Sequence, residues 1–192
     1  YNASHHANEW ITSVLLMRFI ENFCKSYAER SNIADRSAVE IFENSSIYII
    51  PMVNPDGVDL VTGYLSENTE EYRSAKAIAA KYPDIPFPSG WKANIRGVDL
   101  NLNYPAEWDE AKRIKYDLGF TSPSPRDFVG DRPFSEPETQ MTGRFTKEHS
   151  FSLTLSYHTQ GEIIFWKFLN YYVPNAYEIA LDFAEVSGYT AS

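Results

Sequence analysis

Apolar residues recur along this chain in helical and strand-like rhythms. Across residues 9–30, Ile11, Val14, Leu15 and Phe19 fall on the i, i+3, i+4 rows of a helix, and Phe23 continues that side. Arg18 and Asn22 lie toward its edge, so the segment predicts an amphipathic helix. Asn8 is the expected N-cap, which puts Glu9 at the first helical position. Ser46–Val53 is almost continuously apolar and predicts a strand buried on both faces. It closes in Asn54-Pro55-Asp56-Gly57, a turn signal. A second helix is expected over residues 66–81, around Tyr72, Ala75, Ile78 and Ala79. The stretch from Pro83 to Asp131 is rich in proline and reads as loops. Ser135 to Glu138 has the S-x-x-E form of a capping box, opening a helix toward His149. Phe151–Tyr157 alternates like a strand, and Glu162–Trp166 reads as another. Pro174–Ser187 predicts a helix with Tyr177, Ala180, Leu181 and Ala184 on one face, stopped by Gly188. Strands separated by helices imply a three-layer α/β/α fold.

Composition narrows the picture a little. With 43% hydrophobic and 22% charged residues, the 192-residue chain reads as one globular domain, residues 1–192, able to bury a core. No apolar run approaches the length of a membrane span, and no signal-peptide pattern is present. Neither observation assigns a compartment. A net charge of −9 speaks against a nucleic-acid partner. A single cysteine, Cys24, excludes an internal disulfide. It sits among Phe19, Ile20, Phe23 and Tyr27 at helical spacing, which predicts a buried, inert thiol.

The candidate chemistry is a split set of metal-ligand residues. His6 and Glu9 stand three apart in His6-Ala7-Asn8-Glu9, and His158 follows the strand-like Leu155-Ser156-Tyr157. Two imidazoles and one carboxylate with an open fourth position form the donor set of a catalytic zinc site. Alone, an H-x-x-E match is a weak signal, and a polar His with a dipole-compensating Glu at a helix start is the simpler account of it. His158, at a strand end, is where open α/β sheets place ligands. His5 is expected at the surface or beside the site, and His149 on a solvated helix tail.

Further segments change the weight of that set. Val53-Asn54-Pro55-Asp56-Gly57-Val58, Trp91-Lys92-Ala93-Asn94, Gly97-Val98-Asp99-Leu100-Asn101, Phe134-Ser135-Glu136-Pro137-Glu138-Thr139 and Ser156-Tyr157-His158 follow His6–Ile11 in order. Together they resemble the zinc metallocarboxypeptidases of the carboxypeptidase A type. The His6–Trp10 and Tyr157–Ile163 segments are most similar to the bacterial gamma-D-glutamyl-L-diamino acid peptidases, which cut cell-wall peptides. The resemblance runs from the first residues to the last helix.

It implies a mixed central sheet, a Zn²⁺ held by His6, Glu9 and His158, and hydrolysis of a peptide substrate by a metal-activated water. It also implies departures. The family's oxyanion-stabilising arginine is matched by Lys92, a point charge without a bidentate fork, with Arg96 as the nearby alternative. The family's Asn-Arg pair, which grips a substrate's free C-terminal carboxylate, is matched by Asn101 and Leu102. Leucine cannot pair with a carboxylate, which favours the cell-wall peptidase over a conventional metallocarboxypeptidase. The family's general-base glutamate and capping tyrosine are not matched, and Glu162 lies where the family has no catalytic residue. The chain therefore reads as an incomplete catalytic domain, cut at both edges. The alternative is a non-catalytic zinc- or peptide-binding fragment.

Overall fold

A computed structural model describes all of residues 1–192. The chain forms two compact units, residues 1–158 and 159–192.

In the first unit, β1 (Asn2–Ala3) pairs in parallel with β4 (Ser156–Tyr157), placing Asn2 opposite Ser156 and Ala3 opposite Tyr157. On its other side β1 meets Ile50 in a parallel bridge. This short parallel set is what the unit has of the expected central sheet. The segment 46–53 lies along β1, with hydrogen bonds from Tyr48, Ile50 and Val53 to Tyr1 and Ala3, but forms no longer strand, Ile47 and Tyr48 are exposed, and the strand over 151–157 contracts to β4. A separate antiparallel hairpin joins β2 (Asn32–Ile33) to β3 (Arg36–Ser37).

Helix α1 (Ile11–Ala28) replaces the expected 9–30 span. It is preceded by a 3₁₀ turn, Ala7–Glu9, whose N-cap position is His6 rather than Asn8. The helix also faces the other way from its apolar pattern. Thr12, Ser13 and Leu16 are buried, whereas Ile11, Val14 and Leu15 are about half exposed. The cause is polar docking. Ser4 Oγ stands 2.7 Å from Ser13 Oγ, and the Ser4 amide donates to Thr12 Oγ1, so the hydroxyl edge is drawn onto the end of β1. Cys24 is consequently exposed, not buried.

Helix α2 (Ala38–Asn44) is capped by Ser37. Asn54-Pro55-Asp56-Gly57 opens α3 (Pro55–Thr62) instead of forming a free turn. The Asn54 side chain accepts from the Gly57 amide, and Pro55 occupies the first turn, where its missing N–H costs nothing. Helix α4 (Glu70–Ala79) starts after the Thr69 cap, inside the predicted 66–81 span. Leu60, Ala75, Ala79, Trp91, Ala93 and Ala7 form one buried cluster, so α3 and α4 pack beneath the turn that carries His6 and Glu9.

The 83–131 region is mostly loop, as expected, but contains α5 (Trp108–Asp117). Its exposed ladder Glu110–Arg113–Asp117 and single buried Trp108 gave it little apolar periodicity. Helix α6 (Pro137–Glu148) begins one residue later than a capping box requires. Ser135 Oγ donates to the Glu136 carboxylate and accepts from Asn103 Nδ2, so the hydroxyl is engaged away from the helix amides. His149, past the end of α6, is packed among Tyr48, Phe145 and Phe151 and is half-buried rather than freely solvated. These residues line a cavity of about 560 Å³ that includes none of His6, Glu9 or His158.

The second unit holds β5 (Ile163–Ile164) parallel to β6 (Thr190–Ala191), with α7 (Ala176–Ser187) between them in sequence. The predicted strand 162–166 shrinks to β5. Gly188 ends α7 in a left-handed conformation, as its position implied. Of the expected apolar face only Ala180 is buried, while Tyr177 and Leu181 are exposed.

Candidate metal centre

Two neighbouring parallel strands deliver the site. β1 runs into Ser4, which takes a positive φ of 53°, and turns the chain into His5, His6 and the 3₁₀ turn. β4 ends at His158. Because β1 and β4 are paired and parallel, both chains emerge at the same sheet edge, beyond their carboxyl ends. Asn54 staples this edge together. It is fully buried, and its Nδ2 donates to the His5 carbonyl at 3.1 Å and the Ala93 carbonyl at 3.0 Å. The Ala7 amide donates to the Lys92 carbonyl at 3.0 Å. Segments remote in sequence thus hold the turn in place.

The three expected ligands converge. His6 Nδ1 is 3.1 Å from Glu9 Oε1, His158 Nδ1 is 2.8 Å from Glu9 Oε2, and the two Nδ1 atoms are 3.3 Å apart. These are the only three such residues in the chain whose donor atoms lie within 4.8 Å of one another. A tetrahedral ion with bonds of about 2.0–2.1 Å separates its donors by about 3.3 Å, the spacing of the two Nδ1 atoms, while each imidazole faces its own Glu9 oxygen. Side-chain exposure rises from 2% at Glu9 through 12% at His6 to 30% at His158, so the cluster opens to solvent on the His158 side.

Asp99 was not singled out for a role by the sequence, yet it completes the centre. His6 Nε2 lies 3.2 Å from its Oδ1. Asp99 is buried and accepts the amides of Asn101 and Asp127. A carboxylate on the far nitrogen of a ligating imidazole fixes its tautomer and raises its basicity. Burial would lower the His6 pKa, but hydrogen bonds and charges from Asp99 and Glu9 outweigh it and push it up to about 9. Burial works against ionised Glu9, yet its hydrogen bonds to His158 and His6 hold its carboxyl far below the usual carboxylate range. Asp99 is likewise held low by His6 against its burial.

His5 is not among the clustered donors. It is buried, its Nε2 lies 2.9 Å from the Tyr104 hydroxyl, and its ring stands 6.0 Å from that of His158. Burial first, then His158 and His6, push its pKa down to about 3, so it stays neutral beside the centre. Burial pushes the Tyr104 hydroxyl up to about 12.

The remaining candidates separate. Lys92 lies at the centre: buried, with Nζ 3.2 Å from Glu9 Oε1. Arg96 is directed elsewhere, its guanidinium 3.4 Å from Glu136 Oε2. Asn101 is exposed and Leu102 half-buried, on a 3₁₀ turn directly after Asp99. Glu162 belongs to the second unit, where it is exposed and its carbonyl accepts the Thr190 amide.

The donor set invites comparison with known proteins. Residues 1–187 match the model of the zinc carboxypeptidase family. The chain belongs to that family. It is similar to gamma-D-glutamyl-L-diamino acid endopeptidase 1 of Lysinibacillus sphaericus, at 37% identity over 189 residues, 98% of this chain and 46% of the relative. It is also similar to the carboxypeptidase N catalytic chain of Homo sapiens, at 28% identity over 163 residues, 84% of this chain and 30% of the relative. Among solved structures it resembles carboxypeptidase A from Helicoverpa armigera, with a TM-score of 0.54 and 24% identity over 96% of this chain and 39% of that one. That likeness supports the α/β fold. The chain spans about half the length, or less, of the curated relatives it matches.

Proposed function

We propose that residues 1–192 form the metal-binding part of a zinc peptidase catalytic domain that hydrolyses cell-wall peptides of the gamma-D-glutamyl-diamino acid type. The observation that carries the reading is the convergence of His6, Glu9 and His158 at zinc spacing in a chain of this family. The similarity to a gamma-D-glutamyl-L-diamino acid endopeptidase supports the substrate class.

Bound Zn²⁺ would lower the pKa of a coordinated water toward about 7 and polarise the scissile carbonyl. The chain's own residues supply the rest. His6, Glu9 and His158 would hold the ion, and Asp99 would orient His6. Lys92, 3.2 Å from Glu9 Oε1, would supply a positive charge beside the centre that favours a developing oxyanion in a buried setting. Asn101 offers an exposed amide to the substrate. Leu102 offers no partner to a terminal carboxylate, which argues against a conventional end-trimming carboxypeptidase. Arg96, paired with Glu136, is at most a peripheral substrate contact. No residue of the chain is assigned as general base, and residues 1–192 alone are expected to turn over substrate negligibly.

The test has two parts. The isolated chain should bind one equivalent of zinc, and lose it in a His158→Ala variant. A protein carrying residues 1–192 and active with zinc should cleave a gamma-D-glutamyl-diaminopimelate peptide faster than an ordinary peptide with a free C-terminus. Rapid cleavage of only the ordinary peptide, abolished by amidating its end, would restore the carboxypeptidase reading.

A further inference from the structure

Helix α5 carries no residue of the metal centre, yet both its ends are pinned to the segment that holds Asp99. At its start Trp108 is buried, and its indole donates to the Val129 carbonyl at 3.1 Å. In its last turn Lys115 donates from Nζ to Asp127 Oδ1. The Lys115 side chain is 25% exposed and that of Asp127 14%. Such a partly buried pair is screened less than the exposed ion pairs that contribute little. The more exposed Arg126 guanidinium donates to Asp127 Oδ2 at 2.7 Å.

The clamp acts on the Asp127 backbone. Its φ is 69°, in the left-handed region. A side chain is disfavoured there, though aspartate less than most. In that conformation the Asp127 amide donates to Asp99 Oδ2 at 3.1 Å. Asp99 Oδ1 accepts the Asn101 amide and faces His6 Nε2, each at 3.2 Å. One anchor on each oxygen fixes the plane of the carboxylate. Without the Asp127 amide, Asp99 is free to turn about its Cβ–Cγ bond and carry Oδ1 away from His6. The neighbouring Phe128 carbonyl accepts the Asp99 amide at 2.8 Å and holds the two segments in register.

We propose that Asp127 is a positioning residue for the candidate metal centre: Lys115 clamps its carboxylate, the clamp holds its backbone left-handed, and its amide keeps Asp99 turned toward His6. Asp127 acts through Asp99 and not on a ligand directly. Helix α5 is thereby a brace for the site, although it lies outside it.

The inference rests on the zinc reading, and zinc affinity by chelator competition tests both. Loss of a carboxylate behind a ligating histidine weakens metal binding about 10–100-fold, and releasing Asp99 Oδ2 should forfeit part of that, about threefold or more. Asp127→Ala removes the clamp and disfavours the left-handed backbone, so it should show this loss. Lys115→Met should show it with Asp127 intact, and Lys115→Arg, which keeps a cation, should recover the wild-type affinity. The deciding readout is coupling. In an Asp99→Ala background, Asp127→Ala and Lys115→Met should leave zinc affinity unchanged, because the group they act through is gone. Equal losses in both backgrounds would mean a general loosening of the fold and overturn the inference. Wild-type affinity in both Asp127→Ala and Lys115→Met would overturn it too. If the Asp99→Ala chain does not fold, the two Lys115 variants decide. Loss in Lys115→Met with recovery in Lys115→Arg supports the inference, and equally weak binding in both refutes it. A wild-type chain that binds zinc without this coupling sinks the inference alone. A wild-type chain that binds no zinc sinks the zinc reading and the inference with it.

Discussion

His6 Nε2 faces Asp99 Oδ1 at 3.2 Å, across 93 residues of sequence, so one imidazole carries a carboxylate behind it and a second carboxylate, Glu9, on its metal-facing nitrogen. The Asp99 carboxylate has no exposed oxygen to lose to water, since both of its oxygens are also engaged by backbone amides. Removing such a partner typically weakens metal binding by about 10–100-fold. Asp99→Asn should fall in that range while the chain stays folded, because asparagine fills the same space. A chelator competition with zinc measures it. An unchanged affinity would show that Asp99 only braces the loop.

Zinc binding should release a proton. In the metal-free chain His6 has a pKa of about 9, raised by Asp99 and Glu9 against its burial, so it is protonated at pH 7–8. Zinc takes only the neutral imidazole. Binding at pH 7.5 therefore releases about one proton from His6, and apparent affinity rises with pH until that proton is gone near pH 9. For the metal-free fold the sign is the same: the raised pKa stabilises fully below the unfolded value of 6.5, and this is lost as pH rises through about 9. Calorimetry in buffers of different ionisation enthalpy gives the proton count. A count of zero at pH 7.5 would show that His6 is already neutral.

The ligands were legible in the sequence and the scaffold only in part. His6, Glu9 and His158 are polar residues in recognisable short motifs, and their meeting point follows from strand ends. Asp99 lies in Gly97-Val98-Asp99-Leu100-Asn101, and nothing in its spacing says which histidine it faces 93 residues away. The α1 face was misjudged for a physical reason. Apolar periodicity assumes that burial is won by hydrocarbon, whereas Ser4, Thr12 and Ser13 dock the helix through hydroxyls. The same misjudgement hid the exposure of Cys24. The 46–53 segment runs beside β1, with Tyr48, Ile50 and Val53 bonded to Tyr1 and Ala3, but on one side only, so Ile47 and Tyr48 stay exposed rather than buried on both faces.

Cys24 should react with a thiol reagent in the folded chain. It is exposed on α1, and no neighbouring charge is needed for a slow, complete modification at pH 8. Stoichiometric labelling without denaturant supports the helix orientation. Labelling that requires denaturant would restore the buried thiol and turn α1 around.

Asn54 is expected to be the most costly polar position in the first unit. It caps α3 through the Gly57 amide and satisfies the carbonyls of His5 and Ala93. Asn54→Ala loses a cap worth about 1 kcal/mol and strands buried carbonyls at about 1–3 kcal/mol each. A loss of about 3 kcal/mol or more in urea denaturation is expected. Gly57→Ala should also destabilise, although alanine ordinarily favours a helix. A Cβ there would meet Asn54 Oδ1 at 2.5 Å and the Ala93 carbonyl at 2.8 Å, so the cap and the loop would have to move apart.

Leu102→Arg tests the substrate reading from the opposite direction. Leu102 ends the 3₁₀ turn that begins one residue after Asp99, half-buried and next to the exposed Asn101, so a longer side chain there can reach out without displacing a core residue. Its N–H donates to the Asp99 carbonyl, a backbone contact that arginine retains. A guanidinium fork on a terminal carboxylate forms charge-assisted bonds worth about 1.5–3 kcal/mol, which is about 10–150-fold in binding. The zinc-loaded variant should therefore prefer an acyl-dipeptide with a free C-terminus over its amide by about tenfold or more, where the parent chain shows little preference. The comparison is a pair of titrations with the two ligands. A parent chain that already discriminates strongly would mean that another basic residue grips the carboxylate. The loss of a fork at position 102 would then say nothing about substrate class.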